Sequence, residues 1–264
     1  MVGLIQFRYA TVARRTSKDS NLTKVAIITG ASRGIGAATA FTLSKQGYRV
    51  CINYLKNKSH AEALCTSIND NGGVALTHKA DVSVEAEVQS MFNRVNAEFG
   101  AVTHLVNNVG VLFTKTAFSE ISTERFKTIL TTNVLSAFLC SKAFVKQVQS
   151  DGAIVNVSSI ASRTGAPFEY VDYAASKGAM DSLTTGMSLE LAGQNIRVNS
   201  VRPGFIATDI HADGGEPDRV NRLSSQIPMG RGGNTQEVAD AIAWLLSDEA
   251  SYVTGSFIDI AGGK

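Results

Sequence analysis

The chain has 264 residues, 44% of them hydrophobic and 18% charged, with a formal net charge of +2. That balance describes one globular domain with a large core, and with no basic stripe interleaved with aromatics, nucleic acid is not an expected partner. No unbroken apolar run approaches the roughly 18 residues a bilayer crossing needs. The three cysteines and four histidines are too scattered for a disulfide framework or a metal site, so the expectation is a cytoplasmic protein with reduced thiols, no membrane contact and a small-molecule partner.

Residues 1–22 stand apart. Arg8, Arg14, Arg15 and Lys18 face only Asp19 as counter-charge, a weak amphipathic targeting pattern, although a disordered extension or a start placed too early is the preferred reading. The domain proper is expected over 23–264. Val25 to Ile28 is a continuous apolar run, as in a strand buried on both faces of a parallel sheet. A helix follows to about Gln46, closed by Gly47. Next come a strand at Arg49–Tyr54, a helix near Ser59–Asn71, a strand at Val74–Lys79, a helix over Ser83–Phe99 and a strand near His104–Asn107.

The second half repeats the alternation. The pattern predicts a long helix ending near Gln149, a strand at Ala153–Val157, a helix over Tyr173–Ala192 and a strand at Ile196–Val201. A helix at Thr235–Leu246 and a strand at Ser256–Ile260 complete it. Strands alternating with helices predict right-handed crossovers and an α/β fold, a Rossmann-like doubly wound parallel sheet of about seven strands with helices on both faces. The polar stretch 209–233, with Gly214, Gly215 and Pro217, reads as a mobile flap over a ligand crevice, or as a plain solvated loop.

Thr29-Gly30-x-x-x-Gly34-x-Gly36 lies between a strand and a helix. Gly30 permits a tight exit from the strand, Gly34 a close approach of backbone to a pyrophosphate, and Gly36 close helix packing. At the end of the second strand Asn53, Tyr54 and Lys56 include no carboxylate to repel a 2′-phosphate, while Arg33 and Lys56 carry charge to neutralise one. NADP(H) is therefore favoured over NAD(H). Asp81 and Val82 are placed to cap an adenine, or Asp81 simply caps the next helix; Asn107 and Gly110 end the fourth strand. Tyr173 and Lys177, four apart, share one face of a helix. A free phenol has a pKa near roughly 10, and an adjacent ammonium favours its ionised form.

Taken together, TGASRGIG, NNVG, Asn133, NVSS, YAASK and the stretch from Arg202 to Thr208 resemble the short-chain dehydrogenase/reductase family, from about Lys24 to Gly263. The resemblance implies a homotetramer that moves a hydride between NAD(P)(H) and a carbonyl or secondary alcohol. By position it implies Asn133, Ser159, Tyr173 and Lys177 as the catalytic four, with Tyr173 the proton donor or acceptor, Ser159 holding the substrate oxygen, Lys177 binding the nicotinamide ribose and Asn133 anchoring a water. Implied cofactor contacts are Gly30, Ser32, Arg33, Gly34, Ile35, Gly36, Asn53, Tyr54, Lys56, Asp81, Val82, Asn107, Gly110, Tyr173, Lys177, Pro203, Gly204, Ile206 and Thr208. Val109 replaces the family's usual alanine, and the tyrosine lies fifteen residues after Ser158 and fourteen after Ser159, which keeps Ser158 as an alternative. The polar Glu169, Tyr170 and Asp172 suit a hydroxylated substrate or face solvent. A sugar or polyol dehydrogenase using NAD, and a non-catalytic sensor of NADP(H), are the competing functional readings.

Overall fold

The computed structural model describes residues 23–149 and 151–264; the expectations for residues 1–22 lie outside the described residues. Seven strands form one parallel sheet: β1 Val25–Ile28, β2 Arg49–Tyr54, β3 Val74–Lys79, β4 His104–Asn107, β5 Gly152–Val157, β6 Ile196–Pro203 and β7 Phe257–Ile260. Their spatial order is β3-β2-β1-β4-β5-β6-β7. Chain direction across the sheet therefore reverses between β1 and β4, and a crevice opens there at the strands' carboxyl ends.

Side-chain alternation explains the double winding. In β1, Ala26 and Ile28 join a core with Leu43, Ile52, Ile68, Val238 and Ile242 on one face. Val25 and Ile27 join Met91, Phe92, Leu105, Phe144 and Ile154 on the other. Because both sides of β1 and β4 are fully buried, the sheet needs helices on both faces. Lys58–Asp70 covers the first side with Gly34–Lys45 and Thr235–Leu246; Glu85–Phe99 and Val171–Leu191 cover the second.

Thr123–Gln147 is one continuous helical run, and it corrects an expectation: it is long and apolar enough, by length and composition, to cross a membrane. Half of its most apolar window is buried inside the fold. Small polar residues such as Thr131, Thr132 and Ser136 interrupt the apolar run in the sequence without ending the helix. At Thr131–Leu135 the run widens into a π-helical turn, a local bulge that shifts side chains out of α-helical register.

This helix and Val171–Leu191 are joined by a buried ion pair. Asp172 is fully buried and accepts from Arg125 Nε at 2.6 Å and Nη2 at 3.2 Å. Its Oδ1 also accepts from the Tyr173 N–H at 2.9 Å, and Arg125 Nη1 donates to the Thr114 carbonyl at 2.7 Å. Tyr170 is buried and Glu169 pairs with Arg219. The three polar residues before Tyr173 thus tie elements together, and the expectation that they face substrate or solvent is corrected.

Arg125→Met strands the Asp172 carboxylate without its counter-charge. Removing one partner of a buried pair costs about 3–5 kcal/mol, so the urea midpoint is expected to fall markedly; an unchanged midpoint contradicts the structural role assigned to the pair.

Candidate active site

The glycine turn is built by neutral amides. Gly30 and Gly34 have φ of 62° and 59°, the left-handed region that favours glycine. Asn53 Oδ1 accepts from the Gly30 N–H at 3.1 Å, its Nδ2 donates to the Ala80 carbonyl at 3.1 Å, and its own carbonyl accepts from Ala31 at 2.8 Å. From the other side Asn108 Nδ2 donates to the carbonyls of Thr29 and Gly30 at 2.9 and 3.1 Å. A Cβ at Gly36 would lie 2.6 Å from Asn108 Nδ2 and 2.9 Å from the Gly30 carbonyl, so Gly36 is the residue that lets the helix close on the turn.

Two expected cofactor contacts change role. The side chain of Asn53 is buried and spent on the turn, and that of Asn107 joins a buried network, donating to Ser141 and to Asn156 at 3.0 and 2.8 Å. Both are positioning residues. Asp81 accepts from the N–H and hydroxyl of Ser83 at 2.9 and 2.6 Å, a turn ahead of the helix Glu85–Phe99, whose start has no side-chain cap. Val82 and Tyr54 are buried, Pro203 ends β6 and Ile206 is buried just beyond it. Gly204 has no room for a side chain, since a Cβ there would meet Ala261 at 2.9 Å. Thr208 lies against Gly34.

The turn fits a dinucleotide. Gly34–Lys45 begins without a side-chain cap, so the N–H groups of its first turn, including those of Gly34, Ile35 and Gly36, lack an intrahelical partner and face the crevice end of the sheet. That is the arrangement that receives a phosphate. Ser32 lies in the same turn.

The second cluster gathers at the ends of β4 and β5. Lys177 is buried, its Nζ donates to the Val157 carbonyl at 2.8 Å, and it lies 5.5 Å from the Tyr173 ring centre. A Cβ on Gly110 would sit 3.4 Å from that ammonium and 3.8 Å from Asn133 Oδ1. Asn133, fully buried in the π turn, accepts from the Val111 N–H at 2.8 Å and donates to the Val111 carbonyl at 3.2 Å and to Ser176 at 3.0 Å. Its amide thus holds the β4 loop against the helix that carries Tyr173 and Lys177.

Burial governs the titration of both groups. It pushes the Tyr173 phenol up to about 12, against a smaller lowering by hydrogen bonding with Ser159. It pushes the Lys177 ammonium down to about 8, partly offset by Asp181. The expectation that Lys177 makes the phenol acidic is corrected: desolvation holds the phenol up, and the group that lowers it is Ser159. A phenol in this state is a proton holder at neutral pH, suited to donation.

The two serines separate cleanly. Ser158 is buried and its hydroxyl donates to the Lys177 carbonyl at 3.2 Å. Ser159 is half-buried, accepts from the Ala161 N–H at 3.1 Å, and interacts with Tyr173.

The segment after β6 holds two short helices, Ile210–Asp213 and Arg219–Leu223. Its ends are clasped where Ala207 N–H donates to Gly233 O and Gly233 N–H to Phe205 O, both at 2.9 Å. Glu216 pins it across the crevice, accepting from Lys115 and Tyr170 at 2.9 Å and pairing with Arg219. Burial works to raise the Glu216 carboxyl, but hydrogen bonds from Lys115, Tyr170 and Arg219 and the Arg219 charge together hold it down at about 2.

Sequence reasoning missed Thr29, Asn108, Arg125 and Glu216. The signal for Asn108 was present: in Asn107-Asn108 successive side chains leave opposite faces of a strand, so one of the pair had to face the turn. Arg125 and Glu216 act across 47 and 46 residues, and no local pattern links them to their partners.

A family model described as enoyl-(acyl carrier protein) reductase matches residues 30–264. The uncharacterized oxidoreductase YgfF of Escherichia coli K12 is 55% identical over 245 residues, covering 91% of this chain and 99% of that protein. The 3-oxoacyl-[acyl-carrier-protein] reductase FabG of Staphylococcus aureus is 35% identical, covering 92% and 98%. Among solved structures, the angucycline C-6 ketoreductase LanV with bound NADP superposes with a TM-score of 0.85 at 34% identity, covering 92% of this chain and 96% of that one.

Ser159→Ala is expected to lower kcat by about 10²-fold, as for loss of a donor to a developing oxyanion. Ser158→Ala should cost about 1 kcal/mol of stability and leave kcat within a few-fold. The reverse pattern in steady-state kinetics and denaturation would exchange the two roles.

Proposed function

The chain belongs to the short-chain dehydrogenase/reductase family and is an NAD(P)(H)-dependent oxidoreductase of carbonyl or alcohol groups; from that premise we propose that it is an NADP(H)-dependent carbonyl reductase with Tyr173 as proton donor. The observation that carries this reading is the cluster of half-buried Tyr173 and Ser159 with buried Lys177 beside a glycine turn with an uncapped helix start.

The nicotinamide supplies the hydride when bound. The protein must stabilise the negative charge that grows on the substrate oxygen and hand it a proton. Tyr173 Oη holds that proton, and the Ser159 hydroxyl donates a hydrogen bond to the same oxygen. Lys177 uses one N–H on the Val157 carbonyl, which leaves two for a ribose hydroxyl and for the field that steadies the phenolate after transfer. Asn133 acts through Val111 and Ser176 and is a positioning residue in this scheme.

The preference for NADP(H) rests on Arg33 and Lys56 and on the lack of a carboxylate after β2. Reduction is favoured over sugar or polyol oxidation because the polar residues that would suit a hydroxylated substrate are engaged within the fold. Exposed Phe126, Leu135 and Phe138 on Thr123–Gln147 and Leu189 on Val171–Leu191 offer apolar surface for the homotetramer we propose. Free thiols at Cys51, Cys65 and Cys140 support a cytoplasmic setting.

Tyr173→Phe is expected to lower NADPH-dependent reduction of a ketone panel by about 10²–10⁴-fold; equal rates in the two proteins would leave only a nucleotide-binding role. In the native enzyme kcat for reduction should fall as pH rises through about 8, where Lys177 loses its charge, while Tyr173 keeps its proton up to about 12. A profile flat from pH 7 to pH 10, roughly spanning the Lys177 range, would contradict the role given to the ammonium.

A further inference from the structure

Arg33, on which the NADP(H) preference leans, already has partners. Its guanidinium pairs with Asp213 and lies 3.4 Å from Asp209, both on the segment after β6. The backbone of Arg33 is extended at the start of Gly34–Lys45, and its side chain caps nothing. The turn that carries it touches β2 on one side, through Gly30 and Ala31 to Asn53, and the root of the flap on the other, where Gly34 meets Thr208.

One long cationic arm therefore stands between two anionic destinations. The first is the carboxylate pair of the flap. The second is the end of β2, where the adenosine ribose of a dinucleotide is read. A single guanidinium cannot saturate both, since Arg33 with Asp209 and Asp213 sums to +1 − 2 = −1 before any phosphate arrives.

We propose that Asp209 and Asp213 latch Arg33 in competition with the 2′-phosphate of NADP(H), so that these two carboxylates lower the preference for NADP(H) over NAD(H) and couple cofactor identity to the flap. The proposal deepens the cofactor reading above and rests on it. NAD(H) carries a hydroxyl at that position and leaves the latch closed; NADP(H) draws Arg33 away and frees the first helix of the flap. Linkage makes the effect reciprocal: whatever the phosphate does to the latch, the latch does to phosphate affinity. The pairs are half-exposed, so the effect is modest and screened by salt. The remainder of the flap keeps its own anchors at Glu216 and at the clasp of Ile206 with Gly233, which confines the loosening to about Asp209–Gly214.

The test is an equilibrium titration of NADP+ and NAD+ by intrinsic fluorescence in wild type, in D209N/D213N and in R33A. The double variant is expected to raise the NADP+ to NAD+ affinity ratio about two- to fivefold through tighter NADP+ binding, with the gain shrinking at about 0.5 M salt, and R33A should collapse the ratio. An unchanged ratio in the double variant, with collapse in R33A, overturns the latch and leaves the cofactor reading standing. No change in R33A overturns both. Hydrogen exchange on the wild type supplies a second readout: faster exchange over 209–214 with NADP+ than with NAD+ supports the latch, and equal exchange overturns it.

Discussion

A lysine ammonium held nearly dry against a backbone carbonyl is the constraint around which this site is arranged. Lys177 reaches Val157 at the end of β5 from the helix that also carries Tyr173, so the lysine joins sheet and helix one strand beyond the β1–β4 crevice. Burying that charge is unfavourable, as its lowered pKa records. What tolerates it is a close polar surround: the Val157 carbonyl, the backbone at Gly110, and Asp181 one turn along the helix.

Around this charge the positioning work falls to uncharged amides. Asn53 and Asn108 hold the glycine turn, Asn133 holds the β4 loop, and Asn107 with Asn156 crosses the sheet below them. A neutral amide donates and accepts at fixed angles without adding a charge, which leaves the potential of the crevice to Lys177 and the helix start. A carboxylate in any of those places would oppose a phosphate. Ion pairs bind one element to another: Arg125 with Asp172, Glu216 with Arg219, and Arg33 of the turn with Asp213.

Much of this was legible in the chain. The inner strands lie where their apolar runs placed them, because a strand buried on both faces, as β1 and β4 are, leaves an unbroken signal. The edge strands β3 and β7 are only partly buried and were placed by the strand–helix alternation, and the boundaries moved by a few residues, β6 running on to Pro203 and β7 starting at Phe257. The glycine turn and the Tyr173–Lys177 pair were visible for the same reason: their chemistry is set by neighbours close in sequence. What was not legible depends on distance. The engagement of Asn53 and Asn107 within the framework, the ties from Arg125 and Glu216, and the desolvation of the Tyr173 phenol all arise from groups that meet only after folding. The π turn that brings Asn133 inward also left no trace in helical periodicity.

The central claim is that desolvation at the crevice sets the protonation of Lys177. The most direct measurement is an NMR titration of the 13Cε resonance of Lys177 in isotopically labelled enzyme, assigned by comparison with Lys177→Arg. The account requires a midpoint near the value of about 8 that burial imposes. A midpoint at the ordinary lysine value of about 10.4 would mean that the ammonium is solvated, and the site as described would not exist.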